Sequence, residues 1–368
     1  MTDLEQPDAG RPVARPARVD DLPGMLEVIE AAFPTWPPFE LQAAAADYLR
    51  WKLGPDGDAA IGDHIVVELD GRVVAVRLAW HAACRVGETA CRWENSADMA
   101  VHPDFQGLGI SRTLNAARLD RLIENGNLSF GAVSPNPQVR HMDQTPWDLR
   151  PLTIWTRTRS ARSFAATHYR SGGVPQLVRA AAAFARQPRV RGVAEAELPG
   201  SEVSDLERFD ERTDLLWERA RGEFDIVTER RAAYLNWRHL DPRGGATLAL
   251  SARAPEGALG YAVFKADRDV VKVVDLLVEP GRIAVAAALL VAGVERLRGD
   301  GYRQFVCWLP TNHPYDAALR GAGFIATGTD AYIFATREQQ DPRPPAIQAL
   351  LDEPATRFHV TMSDFDFI

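Results

Sequence analysis

The chain has 368 residues, of which 46% are hydrophobic and 25% are charged, as is typical of a globular protein with a sizeable core. This length is sufficient for two domains. The formal net charge of −8 argues against a basic surface for nucleic acid, and no apolar run is long enough to cross a bilayer.

The first half of the chain reads as an α/β domain, predicted over residues 12–165. Residues 1–11 precede it, lack the pattern of a signal peptide and are expected to be a disordered lead-in. Two helices come first, and two strands joined by an Asp-Gly turn follow. A longer strand at 91–103 leads into a helix at about 110–125 and then into a further buried strand.

The second half repeats this order of elements. The segment "YLRWKLGPDG", which begins at Tyr48, resembles "YLNWRHLDPRGG", which begins at Tyr234, and two strands, a longer strand ending in Val-x-Pro and a helix follow both copies. The agreement favours a duplication, with a second domain at 166–336 whose first strand is expected within 181–200. The tail, 337–368, ends in apolar and aromatic residues and is expected to dock on the domains.

The chain has three cysteines, and they lack both the spacing of a metal site and the even number of a disulfide framework. This pattern predicts a cytoplasmic protein without a bound metal. Cys84 and Cys91 flank a turn and are expected to face each other across a hairpin, although a functional disulfide is not expected there.

The segment "VHPDFQGLGISRTL", residues 101–114, joins the long strand of the first half to its helix. Only glycine lets charged oxygens approach backbone N–H groups without a Cβ in the way, and Gly107 and Gly109 stand just ahead of the helix. The first turn of a helix adds unpaired N–H donors and the positive end of its dipole. The segment therefore predicts a diphosphate cradle, although its spacing is neither that of a dinucleotide fingerprint nor that of a P-loop. Polar side chains that can add contacts are Gln106, Ser111 and Arg112.

This segment resembles motif A of the GNAT superfamily of acyl-CoA-dependent N-acyltransferases, in which Gln/Arg-x-x-Gly-x-Gly/Ala follows Val-x-Pro. Gln106, Gly109 and Ser111 stand at the motif positions, and Ser111 is a small departure. The two halves together resemble tandem GNAT proteins over about residues 12–336. The resemblance implies an α/β (α+β) fold of two GNAT-like domains, each a mixed, mostly antiparallel twisted sheet flanked by helices.

The resemblance also implies that the first domain binds acetyl-CoA or another acyl-CoA. The strands at 91–101 and 128–134 are expected to splay apart and admit the thioester. The backbone expected to bind the pantetheine arm is that of Met99, Ala100 and Val101. The residues expected to hold the diphosphate are Gln106, Gly107, Leu108, Gly109, Ile110, Ser111 and Arg112. Asn136, after the next strand, stands where the family often contacts the cofactor.

The second half departs from the motif. It keeps Val278 and Pro280 but has no Gln-x-x-Gly-x-Gly. We therefore expect a degenerate domain without cofactor that supports the first domain and shapes the acceptor pocket. Tyr315 stands where many family members carry the donor of a proton to the leaving thiolate, and without a cradle beside it we interpret it as structural.

Acyl transfer to an amine is assisted by a group that accepts the amine proton and by one that protonates the departing thiolate. Alternate residues of a strand share a face, so Glu94, Ser96 and Asp98 face the same way if no bulge intervenes. Glu94 is the first candidate for the base and Asp98 the second. The candidates for the thiolate donor are Ser134, His141 and Asp143.

Trp36 and Phe39, between the first two helices, are candidates to line an apolar or planar acceptor. The predicted function is transfer of an acetyl or other short acyl group from acyl-CoA to a primary amine of a small molecule, with no nucleic-acid or membrane partner. Two alternatives keep the fold: a transferase that uses aminoacyl-tRNA, as the peptidoglycan-bridge enzymes do, and a non-catalytic acyl-CoA sensor or scaffold. The acidic chain and the cradle argue against the use of aminoacyl-tRNA. The cradle also argues against a non-catalytic sensor. That alternative stays open because the first half has no Tyr at the position of the thiolate donor.

Overall fold

The structure is a computed structural model of the full chain. The residues that it describes are 10–37, 43–124, 128–133, 147–160, 162–163, 178, 181–182, 184–185, 202–336, 349–350 and 352–365.

The first half follows the predicted order of elements, with an added short strand at its start. Its helices are α1 (Leu22–Ala32), α2 (Ala45–Lys52) and α3 (Ile110–Glu124). Its strands are β1 (Val13–Pro16), β2 (Ile65–Leu69), β3 (Arg72–Val86), β4 (Thr89–Val101), β5 (Leu128–Val133) and β6 (Trp147–Thr158). Asp70 and Gly71, with φ of 51° and 76°, form the tight turn that the sequence predicts between β2 and β3.

The second half repeats the order, and its first strand lies just after the 181–200 segment in which it was expected. Its helices are α4 (Glu211–Ala220), α5 (Ala232–Leu235), α6 (Ile283–Arg296) and α7 (Asp316–Gly321). Its strands are β7 (Glu202–Asp205), β8 (Ile226–Thr228), β9 (Thr247–Ala254), β10 (Gly257–Asp267), β11 (Val270–Val278), β12 (Gln304–Pro310) and β13 (Ile325–Thr336), and β14 (Phe358–His359) belongs to the tail.

The two halves join in one continuous sheet by exchanging strands. The order is β1-β2-β3-β4-β5-β13-β6-β12-β11-β10-β9-β7, with β8 on the edge of β3. Strand β13 of the second half pairs with β5, and strand β6, which precedes the second half in sequence, pairs with β12. The division at residue 165 stays a prediction. Through the exchange, β13 extends the sheet of the first half and β6 extends the sheet of the second half.

The repeated Tyr-Leu-x-Trp segments meet each other across the junction. The indole Nε1 of Trp51 donates to the carbonyl of Trp237 at 2.8 Å, and the indole Nε1 of Trp237 donates to the carbonyl of Trp51 at 3.1 Å. The two rings are 5.7 Å apart, and both are buried. This reciprocal pair is the contact expected of a duplicated segment that packs on its own copy.

The described end of the tail is buried. Residues 358–365 all lie in the interior, and β14 adds to β8 as a parallel strand. The carboxylate of Asp364 pairs with Arg230 at 2.6 Å, and its backbone carbonyl accepts a hydrogen bond from Asn95 on β4. The tail therefore contacts the strand from which the candidate site is built.

Candidate active site

The glycine segment after β4 opens into a cavity, as its sequence suggests. A short turn at Pro103–Phe105 ends the strand, Gly107 and Gly109 follow with φ of +83° and +77°, and α3 begins at Ile110. A Cβ built on either glycine meets no atom within 4 Å, so the protein itself does not fill the space above them. The cavity has a volume of about 650 Å³ and is lined by Val101, Phe105, Gln106, Gly107, Gly109, Ile110, Ser111 and Arg112.

Backbone donors of this segment are available to a ligand. The N–H of Gln106 bonds to the carbonyl of Pro103, and the N–H of Arg112 bonds to the carbonyl of Gly109 at 3.0 Å. The N–H groups between them belong to the glycine turn and to the first turn of α3, where a helix has no preceding carbonyl to accept them. The helix dipole adds positive potential at the same place, and Arg112 adds a full charge.

The structure brings most of the predicted cradle residues together. Some of them can contact a ligand only through their backbone. The side chain of Ile110 is buried and Leu108 is 61% exposed, so these two residues can offer only their backbone. The side-chain amide of Gln106 turns back to the carbonyl of Val101 at 3.3 Å. Asn136 lies outside the described residues, as do Ser134, His141, Asp143 and Phe39.

Strands β4 and β5 separate as expected. They are paired in parallel only at three positions of β4, 93–95, while β3 pairs with β4 along its other edge as far as Val101. Among the described strands, none pairs with the β5-side edge of β4 beyond Asn95. The backbone of residues 99–101 therefore has an open edge that leads from the sheet to the cradle.

A β-bulge in β4 changes which carboxylates share a face. Between the pairs Ala79–Ser96 and Arg77–Met99, β3 advances two residues and β4 three. The extra residue reverses the alternation of side chains, so Glu94 points toward α3 and Asp98 toward α2. The prediction that they face the same way was conditional on a strand without a bulge, and it is wrong for this pair.

Glu94 is held between two cationic side chains. Its Oε1 accepts a hydrogen bond from Arg118 Nε at 2.8 Å, and its Oε2 lies 3.7 Å from His81 Nε2. Burial alone would raise the pKa of Glu94, but the neighbouring His81 imidazole and the charge of Arg118 lower it to about 2. A carboxylate with this pKa is a weak proton acceptor at neutral pH.

His81 completes a buried chain of charges that sequence reasoning missed. Its Nδ1 lies 3.1 Å from Asp63 Oδ2, and its side chain is 5% exposed. Burial disfavours the charged imidazole, but the neighbouring carboxylates of Asp63 and Glu94 raise its pKa. Alternation on paired strands could have placed His81 opposite Glu94, since the two are register partners, whereas the sequence carries no signal for the approach of Arg118.

Asp98 lies on the other face of β4, and the structure brings it together with Trp36. Its Oδ2 accepts hydrogen bonds from Trp36 Nε1 at 2.9 Å and from Lys52 Nζ at 2.6 Å. The Asp98 side chain is 18% exposed, against 6% for Glu94, so it is the more accessible of the two candidate bases. Lys52 was not singled out, although it is the basic residue that follows Trp in the repeated motif.

The second half lacks the cradle for visible reasons. Six residues, 104–109, separate Pro103 from α3, but only Gly281 and Arg282 separate Pro280 from α6. The Arg282 side chain lies 3.5 Å from the carboxylate of Glu279.

The strand edge of the second half is also filled. The hydroxyl of the buried Tyr315 accepts a hydrogen bond at 3.0 Å from the N–H of Val278, which corresponds to Val101. The site of the first half has no copy here.

Among the described residues, no group of His, Cys, Asp and Glu side chains is arranged to hold a metal ion. None of the described helices is both long enough and apolar enough to cross a bilayer.

Comparison with solved structures shows which fold the chain has. A probable N-acyltransferase from Enterococcus faecalis V583 superposes with a TM-score of 0.58 at 13% identity, over 88% of this chain and 72% of that one. The chain shares the fold of the GNAT superfamily. A GCN5-related N-acetyltransferase from Anabaena variabilis gives a TM-score of 0.58 at 10% identity, over 88% and 72% of the two chains. Saccharomyces cerevisiae N-myristoyltransferase, solved with bound myristoyl-CoA, gives 0.55 at 11% identity, over 91% and 80%.

Comparison of the sequence alone adds no relative. No protein-family profile matches the chain, and no curated protein sequence matches it. The GNAT fold is therefore carried here by a sequence in which only short segments, above all the glycine turn, resemble the superfamily.

Proposed function

We propose that the protein transfers an acetyl or other short acyl group from acyl-CoA to the primary amine of a small molecule. The observation that carries the proposal is the continuity of two features: the open edge of β4 beyond Asn95 and the bare N–H groups of the cradle that follows it. The pantetheine arm of acyl-CoA lies along the open edge of β4, and the diphosphate of acyl-CoA lies on the N–H groups of the cradle.

The transfer needs stabilisation of the negative charge that develops on the thioester oxygen. The bulge in β4 leaves one residue between Ser96 and Met99 outside the ladder with β3. We place the donor for this charge among the N–H groups of the bulge, at the point where β4 and β5 separate. The amine nitrogen attacks the carbonyl carbon, the C–N bond forms, and the C–S bond then breaks to release the thiolate.

The amine must also lose a proton, and Asp98 is the better placed of the two predicted bases. It lies on the α2 side of the sheet beside Trp36, the half-buried aromatic residue that we place at the acceptor, and it is more exposed than Glu94. Glu94 is committed to Arg118 and His81 on the opposite face. Ser134, His141 and Asp143 remain the candidates for the donor of the thiolate proton.

The chain offers a matched pair of variants that tests donor binding. Gly109 and Gly281 have the same φ of +77°, and a Cβ on either meets nothing within 4 Å, but only Gly109 lies in the cradle. Isothermal calorimetry of the wild-type chain with acetyl-CoA should show one site. Gly109→Trp should abolish binding, and Gly281→Trp, which imposes the same backbone strain, should leave it unchanged. Equal loss in both variants, or no binding by the wild type, contradicts the assignment of the cradle.

Turnover is tested separately. Release of free thiol from acetyl-CoA is measured against a panel of small primary amines, with Gly109→Trp as the blank. Amine-dependent thiol release that is lost in Gly109→Trp supports the enzyme. Binding without release for any amine supports the acyl-CoA sensor instead. The absence of both binding and release, with transfer from aminoacyl-tRNA, supports the peptidoglycan-bridge type of reaction.

A further inference from the structure

Two cysteines stand opposite each other in the hairpin of β3 and β4. Cys84 and Cys91 are register partners across the antiparallel pair. Directly opposed residues of such a pair have Cα atoms about 4.5–5.5 Å apart, and disulfides span Cα separations of about 4.4–6.8 Å. The two thiols are close enough for each to shift the pKa of the other, and the Cys91 thiol donates to the carbonyl of Thr89 at 3.7 Å. The register therefore places the two cysteines at a Cα separation that a disulfide can span.

The two thiols differ in accessibility and in acidity. Cys84 is fully buried, whereas Cys91 is half-buried. The neighbouring Cys84 thiol lowers the pKa of Cys91, with a further contribution from the charge of Arg85, and burial raises the pKa of Cys84. The exposed member of the pair is thus the one that forms a thiolate more readily, and the buried member is positioned behind it.

We propose that Cys84 and Cys91 form a reversible redox site, closed to an intramolecular disulfide by peroxide and reopened by dithiols. The Cys91 thiolate attacks one peroxide oxygen, and the O–O bond breaks to give a sulfenic acid and hydroxide, which takes up a proton to form water. The Cys84 sulfur then attacks the Cys91 sulfur, the S–S bond forms, and a second water leaves with the Cys84 proton. In total, two thiols are oxidised while one hydrogen peroxide is reduced to two waters.

The location of the pair suggests what the bond does. At Cys84 the outer edge of β3 pairs with Thr228 of β8, and the Thr228 hydroxyl donates to Asp364 of the tail at 2.6 Å. At the turn, the N–H of Gly87 donates to the carbonyl of Asp225. The hairpin is therefore the edge on which β8 and the tail dock. A disulfide that constrains the unfolded hairpin stabilises this docking edge in the folded chain.

Peptide mapping tests the bond directly, and it is independent of the proposed acyltransferase activity. Trypsin cleaves after Arg77, Arg85 and Arg92, so it separates the two cysteines into different peptides. The reduced full-length chain is treated with hydrogen peroxide, its remaining thiols are alkylated after unfolding, and the digest is analysed without reductant. We expect a linked pair of peptides 78–85 and 86–92, lighter than the two free peptides by two hydrogens. A dithiol should abolish the linked pair.

Single variants separate the roles of the thiols. Cys307, which is 2% exposed and far from this pair in sequence, provides the matched control: Cys307→Ser should give the linked peptides in full yield. Cys91→Ser should give none. Cys84→Ser should leave a sulfenic acid on Cys91 that a dimedone probe traps.

Three results would overturn the proposal. They are alkylation of both cysteines in the oxidised wild type, a link found only between two chains, and an unfolding temperature that is the same for the oxidised and reduced forms. All three are read on the wild-type chain, so they stand even where a variant fails to fold.

Discussion

Replacement of Glu94 by Gln distinguishes a structural ion pair from a catalytic base. Glu94 ionises with a pKa of about 2 in the folded chain, against an ordinary value of 4.5. That difference corresponds to about 3 kcal/mol of stability at neutral pH. Because the folded-state pKa is lowered, the contribution is fully present above pH 4.5 and is lost as the pH falls toward 2. We therefore expect Glu94→Gln to lower the free energy of unfolding by about 3 kcal/mol at pH 7, with the deficit shrinking in acid.

The assay is urea unfolding of wild type and Glu94→Gln at pH 7 and at successively lower pH. Glu27 provides the control, since it pairs with Arg72 in an exposed position where both side chains are about half accessible. Glu27→Gln should cost less than about 1 kcal/mol at pH 7. The side chain of Glu94, only 6% exposed, is screened far less by solvent.

Turnover supplies the decisive comparison. Loss of a general base typically lowers kcat by a factor of about 10²–10⁴. If Glu94 has only a structural role between His81 and Arg118, the folded fraction of Glu94→Gln should keep kcat within a few-fold of wild type. Unchanged stability together with a hundred-fold fall in kcat would refute this reasoning and return the role of base to Glu94.

Two further variants probe the second half. Arg230→Met should lower the free energy of unfolding by about 3–5 kcal/mol in urea titrations, because it leaves two buried carboxylates without their cation; a cost below about 1 kcal/mol would contradict the buried ion pair. Tyr315→Phe should cost about 1–3 kcal/mol, since the N–H of Val278 loses its buried acceptor. Calorimetry should still find one acetyl-CoA site in Tyr315→Phe. A second site would show that the Tyr315 hydroxyl alone prevents acetyl-CoA from binding to the second half.

The conformation of the glycine turn could be predicted from the sequence because it is local. Gly107 and Gly109 adopt positive φ through their own backbone freedom, and α3 begins directly after them. Every contact that matters there lies within a dozen residues along the chain. The same holds for the Asp70-Gly71 turn and for the order of helices and strands in each half.

The non-local features were beyond the sequence. The bulge in β4 has no residue signature, yet it decides that Glu94 and Asp98 face opposite sides. The exchange of β6 and β13 depends on which strand edge is left open when the halves meet, which no periodicity encodes. Ion pairs such as that of Glu94 with Arg118 depend on how a helix crosses a sheet.

The second half of the chain supplies a comparison for Asp98. Asp275 occupies the corresponding position in the second half, beside a bulge in β11, and it pairs with Arg230 at 3.0 Å with no exposure to solvent. An aspartate held by a cation at the bulge therefore occurs in a half without a cradle. Anchoring the bulge is the role that both residues share. Only Asp98, which is 18% exposed and bonded to Trp36, is also open to an acceptor.

This difference predicts how the two asparagine variants diverge. Asp98→Asn and Asp275→Asn should both destabilise the chain in urea unfolding, and Asp275→Asn should do so more because its partner Arg230 is fully buried. Neither should weaken acetyl-CoA binding in calorimetry, because the cradle is untouched. Only Asp98→Asn should lower kcat, by about a hundred-fold or more if it accepts the amine proton. If the two variants lose turnover in proportion to their lost stability, Asp98 is an anchor like its copy, and the proton leaves by another route.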